Sequence, residues 1–247
     1  MKKYLLERLE CFKDDEFKFD PIKHKYTYNG ENFISVTTFI QQFHKPFEQD
    51  YWSKKKAEEA GVPQEWILNE WKKLNDYAND VGSETHEWIE DYFNQKWKKL
   101  PTNLDVINRI NKFNIIYAEK LHKLEPLAYE VRVFSKKWRI AGMIDALFLY
   151  RGKIIILDYK TNKKFDTDET LKYKEPLLAP FHNYYKSHLS EYSIQVSLYA
   201  LILKEWGFEV SGGYLVHIPP GDDPAKLYKC IDMMDLLKNF LDGNTKE

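Results

Sequence analysis

Two carboxylates and a lysine stand close together in the second half of the chain, in Gly142-Met-Ile-Asp145 and Ile156-Leu-Asp158-Tyr-Lys160. Asp145 interrupts one apolar stretch, and Asp158 and Lys160 close the next. Side chains of a strand alternate between its two faces, so Asp158 and Lys160 point the same way. Pairing of the two stretches as a hairpin brings Asp145 beside Asp158. Two carboxylates at an apolar strand end repel each other and are costly to desolvate. A divalent cation removes both costs, and hard oxygen ligands with open positions for water suit Mg²⁺ or Mn²⁺. Such an ion stabilises charge on a phosphate and lowers the pKa of bound water. A lysine beside it positions or deprotonates the attacking water, or stabilises the developing charge. In outline this is a phosphodiester-hydrolysing site. The plainer alternative is a pair of strand-end turn aspartates and a solvated edge lysine.

The elements that must carry these residues follow from periodicity. Residues 16–34 alternate through Phe17, Phe19, Tyr26, Tyr28, Phe33 and Ile34, with Asn29-Gly30 as a hairpin turn. A short helix is expected over 36–43, with Thr38 and Gln41 at capping-box spacing and Pro46 after it. Apolar residues at spacings of three and four predict helices over 50–60, 64–98 and 104–121. The pattern then changes to a three-strand antiparallel meander. Ala128–Phe134 carries Tyr129, Val131 and Val133 on one face, and Ala141–Tyr150 turns through Arg151-Gly152 into Lys153–Tyr159. Residues 161–190 are polar and irregular, too long for a plain connection and so a functional loop. A helix over 191–206, a strand over 213–218 and a terminal helix over 224–242 complete an α/β or α+β chain with helices covering a mixed central sheet.

Composition limits the partners. The 247 residues hold 37 Lys+Arg and 38 Asp+Glu, a formal net charge of -1, which excludes a uniformly basic nucleic-acid coat. An apolar share of 43% supports a sizeable core and argues against global disorder. Cys11 and Cys230 lie far apart, too few for a zinc ribbon or a disulfide scaffold, and they exclude an iron–sulfur cluster. No apolar run reaches membrane-spanning length, and charges interrupt the apolar stretch of MKKYLLERLE, so a soluble, cytoplasmic protein is expected.

Residues 142–160 resemble the PD-(D/E)XK nuclease superfamily in its RecB-like branch: Asp145 and Asp158-x-Lys160 match the signature, with Asp where Glu is more usual. Gly82-Ser-Glu-Thr-His86 resembles the helical Gly-x-x-x-His motif, and Gln195-Val-Ser-Leu-Tyr199 the Gln-x-x-x-Tyr motif. Ser35-Val-Thr-Thr38 and the aromatic hairpin before it resemble the N-terminal part of phage-encoded exonucleases, to which the mitochondrial genome maintenance exonuclease is similar. The resemblance spans about residues 16–218. It implies a restriction-endonuclease-like core within a single nuclease domain over 1–247. Residues 1–60 would be an N-terminal hairpin and helix extension, 61–125 a helical region, 126–220 the catalytic core and 221–247 a C-terminal helix.

The resemblance also assigns roles. Mg²⁺ (or Mn²⁺) would be held by His86, Asp145, Asp158 and the Tyr159 carbonyl, with Lys160 assisting the water. Gln195 would contact Lys160 or the scissile strand, Tyr199 would line the site, and Glu130 would bind a second metal or activate water. Glu90, four residues from His86 on one helix face, is placed to orient the imidazole. Lys163 and Lys164 are expected to touch a phosphate backbone, and Ser35 and Thr37 join the substrate contacts. The implied activity is exonucleolytic hydrolysis of single-stranded DNA ends in replication, recombination or repair, in the host cytoplasm if phage-encoded. A flap endonuclease is the alternative.

Lysines interleave with aromatics at Tyr51–Lys56, Trp97-Lys98-Lys99 and Lys136–Arg139, and Phe181, His182, Tyr184, Tyr185 and Lys186 stand in the long loop. Each group suits phosphates and bases, and equally suits an ordinary solvated face. No Walker loop is present, so a built-in helicase motor is absent, and whether a helicase or recombinase partner supplies the strand stays open. Two other classes fit the residues: a nuclease-like fold that only binds nucleic acid or protein, and an enzyme acting on a different phosphoester. Retention of Asp145, Asp158, Lys160 and His86 argues against the first, and the salt dependence of DNA binding separates the second.

Overall fold

The computed structural model of the chain describes residues 1–96 and 100–244. Its helices are α1 (Lys2–Leu9), α2 (Val36–Gln41), α3 (Gln49–Ala60), α4 (Gln64–Phe93), α5 (Leu104–Ile116), α6 (His188–Glu205) and α7 (Met234–Asn244). Its strands are β1 (Phe17–Asp20), β2 (Lys25–Tyr28), β3 (Glu31–Ser35), β4 (Glu125–Ser135), β5 (Ile140–Tyr150), β6 (Lys153–Lys160), β7 (Val210–His217) and β8 (Lys226–Lys229). This is the expected α+β architecture, a mixed sheet between helical layers. Residues of α1, α2, α6 and α7 pack on one face, with Ile154 and Ile156. Ile89 of α4 and Phe113 of α5 pack on the other, with Ile155 and Leu157.

The continuous apolar run of β6 has a simple cause: helices cover both of its faces, so both parities must be buried. The same alternation carries on past Leu157. It turns Asp158 and Lys160 toward α6 and Tyr159 toward α4 and α5.

The sheet runs β1-β2-β3-β5-β6-β7-β8, with β4 on the outer edge of β5. One edge of β5 is shared by two strands. β3 pairs with it in parallel at Ile140 and Ala141, and β6 pairs antiparallel from Ala146 to Tyr150. Between them, residues 142–145 of β5 have no ladder partner on that edge, and the sheet forks. The last β5–β6 pair is Ala146 with Leu157, so Asp145 and Asp158 stand one position beyond it, at the mouth of the fork.

Several elements differ from expectation. Residues 2–9 form a helix anchored by buried Leu5 and Leu9. The cap of α2 is Ser35, whose Oγ accepts from Thr38 N at 3.0 Å, in place of the Thr38–Gln41 pair. Helix α4 ends at Phe93, short of residue 98, and Trp97-Lys98-Lys99 lie outside the described residues. Tyr129 does not share a face with Val131 and Val133. Glu130 between them has φ of 48°, and this left-handed residue breaks the alternation, sending Tyr129 to the α4/α5 side. Helix α6 begins at His188, capped by Ser187. Residues 226–229 form a strand on β7, and the last helix starts only at Met234. A four-residue Lys-Leu-Tyr-Lys run carries too little periodicity to separate edge strand from helix. Phe181 is fully buried against Phe43 and belongs to the core, so it is not a stacking platform.

Candidate active site

The fork gathers side chains from three elements. His86 comes from α4, Glu130 from β4, Asp145 from β5, and their ligand atoms lie within 4.8 Å of one another. Glu130 sits opposite Asp145 in the β4–β5 register, between the pairs Tyr129–Ala146 and Val131–Ile144. His86 Nδ1 is 3.6 Å from Asp145 Oδ2. The same oxygen accepts Tyr159 N–H from β6 at 2.7 Å. The N–H and C=O of a strand residue share one edge, so the Tyr159 carbonyl also faces the fork. Lys160 presents its carbonyl to the opposite edge, where Ile218 N donates at 2.7 Å.

A second group lies on the α6 side. Lys160 Nζ is 2.7 Å from Asp158 Oδ2 and donates to Gln195 Oε1 at 3.2 Å. Gln195 Nε2 donates to Asp158 Oδ1 at 3.1 Å and contacts the Tyr199 hydroxyl at 3.4 Å. Gln195 thus uses both ends of its amide to tie the lysine to the aspartate. The ammonium also lies 4.2 Å from the centre of the Tyr192 ring.

The close packing that makes this possible is visible at two glycines. A Cβ on Gly82 would stand 2.9 Å from Thr161 Oγ1, so glycine lets α4 approach the end of β6. A Cβ on Gly142 would stand 2.8 Å from Tyr199 Cε1 and 3.0 Å from Val36 Cγ2, where α6 and α2 press on the fork.

Electrostatics divide the site. Burial raises the Glu130 carboxyl to about 7, with the Asp145 charge adding to it. Burial also raises Asp158, opposed by Lys160 and reinforced by Asp145. Asp145 is lowered: burial acts upward, but His86, Lys160 and the Tyr159 N–H together outweigh it. His86 is raised, because Asp145 and Asp158 overcome its burial. Lys160 is likewise raised, as Asp158 and Asp145 outweigh desolvation, and it stays cationic.

The residues fit a divalent cation. An imidazole and two carboxylates converge, and burial beside the Asp145 charge drives the Glu130 carboxyl toward its neutral form, a cost that a cation bound there would remove. A cleft of about 480 Å³ opens on the group, lined by Asn79, Ser83, Glu87, Glu90 and Thr161 among others.

Other expected residues fall elsewhere. Asp158 lies outside the three-ligand cluster, because strand alternation turns it toward α6. The His86 ring is held by Asp145, while Glu90 accepts from Asn94 at 3.2 Å and pairs with Lys96 at 3.8 Å. Tyr199 packs in the core, with its hydroxyl reaching Gln195 at the edge of the site. The Ser35 hydroxyl is spent on the α2 cap and on Thr38 Oγ1, while Thr37 is exposed. Lys163 and Lys164 are exposed beyond the end of β6.

Two basic-aromatic groups are largely neutralised. Lys54 pairs with Asp50 and Lys56 with Glu59, while Lys136 pairs with Asp14, Lys137 with Asp242 and Arg139 with Glu31. Tyr192 and Thr161 were not anticipated. Tyr192 stands three residues before Gln195 on one helix, a spacing that shares a face and could have revealed it.

A forked mixed sheet between helices, with acidic residues, a histidine and a lysine at the fork, defines a nuclease-type core. The model of the PD-(D/E)XK nuclease superfamily matches residues 38–230, and the chain belongs to that superfamily. A search of curated proteins finds no match. Among solved structures, one titled "Crystal structure of SSO0001" is similar at 16% identity and a TM-score of 0.34, covering 98% of this chain and 84% of that one. At that level the likeness carries no functional weight. Among the described residues no helix is long and apolar enough to cross a membrane.

Proposed function

We propose that this protein is a metal-dependent DNA nuclease of the RecB-like type that hydrolyses phosphodiesters, most readily at single-stranded ends. The observation that carries the reading is the convergence of His86, Glu130 and Asp145 at the fork, with the Lys160–Gln195–Asp158 group beside them. His86, Glu130 and Asp145 would hold Mg²⁺ or Mn²⁺, with the Tyr159 carbonyl facing them and Asp158 within reach of the same charge. When bound, the ion supplies Lewis acidity toward a phosphate oxygen and a more acidic water.

The chain's own residues do the rest. Lys160, kept cationic by its two aspartates, donates to phosphate oxygens and stabilises their developing charge. Gln195 fixes the lysine's position, and Tyr192 covers it. The Gly82–His86 and Gln195–Tyr199 motifs support the RecB-like assignment. Phage origin, a role in replication, recombination or repair, and a strand-supplying helicase or recombinase partner belong to the same reading. So does a single nuclease domain over the whole chain.

End-labelled linear and circular single-stranded DNA, incubated with purified protein and Mg²⁺ or Mn²⁺, test it. Cleavage of the linear substrate alone is expected. Cutting of the circle would establish the endonuclease alternative. Lys160→Ala and Asp145→Asn are expected to abolish cleavage with the fold intact by circular dichroism. Activity retained in either variant would overturn the site assignment.

A further inference from the structure

Beyond the end of β6 lies a second, smaller pocket of about 280 Å³. Lys163, Lys164 and Lys226 stand around it, and Phe165, Tyr228 and His217 form its aromatic wall. Among the described residues these three lysines have no acidic partner within ion-pair distance, unlike Lys54 and Lys56 of α3 and Lys136 and Lys137 of the β4–β5 turn. Two carboxylates also line the pocket. Asp166 donates its backbone N–H to His188 Nδ1 at 3.0 Å, and the Asp223 charge acts on the buried Lys112.

The wall is rigid. Phe165 stacks on Tyr228 at 4.2 Å and packs on His217 at 5.1 Å, while His217 Nε2 is bonded to the Asn162 carbonyl at 2.7 Å. The adjoining loop is pinned from below by Lys112 Nζ, which donates to the carbonyls of Pro219 at 2.8 Å and Gly221 at 2.6 Å.

The pocket is joined to the active site. Thr161 lines the metal-site cleft and Lys163 lines this pocket. Only Thr161 and Asn162 separate Lys160 from Lys163, three Cα steps that span no more than about 11 Å. An aromatic series links the two places: Lys160 lies over Tyr192, Tyr192 packs on Phe165 at 6.1 Å, and Phe165 stacks on Tyr228.

We propose that this pocket is a subsite for the nucleic-acid strand next to the bond being cut, with the three lysines on its phosphates and the Phe165–Tyr228 wall against a base. Cationic side chains without partners beside a fixed aromatic surface are what a single strand needs for sequence-tolerant binding. The inference rests on the nuclease reading, and a binding measurement in chelator separates the two.

Fluorescence anisotropy of a labelled single-stranded DNA oligonucleotide, titrated in EDTA across a salt series, tests it. Replacing Lys163, Lys164 and Lys226 together by Ala is expected to weaken binding at least tenfold and to flatten the slope of log K against log salt by about 2, at roughly 0.7 per phosphate contact. Lys226→Glu alone is expected to weaken binding in the same direction. The Lys136→Ala/Lys137→Ala protein is expected to keep the wild-type slope. An RNA oligonucleotide of the same sequence and deoxyadenosine monophosphate form the other arms. Equal binding of RNA would extend the subsite to both polymers. Three outcomes would each overturn the subsite: an unchanged slope in the triple variant, no binding of single strands by the wild type, or mononucleotide binding as tight as the oligonucleotide's. Intact binding without any cleavage in Mg²⁺ or Mn²⁺ would instead overturn the nuclease reading and leave the subsite standing.

Discussion

Glu130→Gln separates stability from function at this site. In the folded chain the carboxyl is pushed from an ordinary 4.5 up to about 7, by burial first and by the Asp145 charge second. The unfolded chain returns it to the ordinary value. Between those two pH values the folded state keeps a proton that the unfolded state has released, so stability of the metal-free protein declines as pH rises through the window. The contribution is complete below about pH 4.5 and lost above about 7. The displacement is worth about 3 kcal/mol, and the partial exposure of the side chain screens this to about 2 kcal/mol. Glutamine cannot ionise and escapes the loss. In EDTA at about pH 8 the variant is therefore expected to be the more stable by about 2 kcal/mol, or about 4–8 °C in Tm for a chain of this size. Near the ordinary carboxylate pKa the two proteins are expected to melt together. Thermal melts across that range measure the difference. Added Mn²⁺ is expected to raise the wild-type Tm at the alkaline end and the variant's much less, since a ligand is gone. Melting curves that stay parallel with pH, or a variant less stable at the alkaline end, would refute the reasoning.

Gly142→Ala places a Cβ 2.8 Å from the Tyr199 ring and 3.0 Å from Val36, and is expected to cost about 1–3 kcal/mol in urea unfolding. Ser35→Ala removes the acceptor of Thr38 N–H at the start of α2, an expected loss of about 1 kcal/mol by the same measurement. Gln195→Ala removes the amide that braces the Lys160–Asp158 pair and is expected to lower kcat about 10- to 100-fold in the DNA cleavage assay; an unchanged kcat would remove Gln195 from the site. His86→Ala is expected to weaken Mn²⁺ binding in calorimetry at least tenfold, and full affinity in that variant would place the metal elsewhere.

Short-range features were legible in the sequence. The apolar parity of Ile154–Leu157, the Arg151-Gly152 turn and the Asn29-Gly30 turn are local signals, and each lies where the pattern put it. The fork was not legible, because it arises from two strands sharing one edge of β5, a fact of pairing between residues far apart. The grouping of Glu130 with His86 and Asp145 depends on the same long-range register and on one left-handed residue, which periodicity does not reveal. Composition likewise did not distinguish free lysines from paired ones. Lys136 and Lys137 look as basic in sequence as Lys163 and Lys164, yet Asp14 and Asp242 arrive from the other ends of the chain to neutralise them. Residues 226–229 show the remaining limit: a short edge strand is defined by its neighbour.

The shared edge of β5 also sets an order of assembly. β4, β5 and β6 follow one another as hairpins and pair over short stretches of chain, whereas Ile34 must find Ile140 across more than a hundred residues. Contacts so distant in sequence close late, since the chain between them must first give up its freedom. α4 and α6 bring His86 and Gln195 from outside the meander as well. A nascent or refolding chain therefore passes through a stage with its acidic residues in place and no working centre. In refolding from urea, the sheet signal in circular dichroism is expected to lead the return of DNA cleavage, and simultaneous recovery would contradict this order. On the proposed reading, the centre is complete only when the most remote parts of the chain have met.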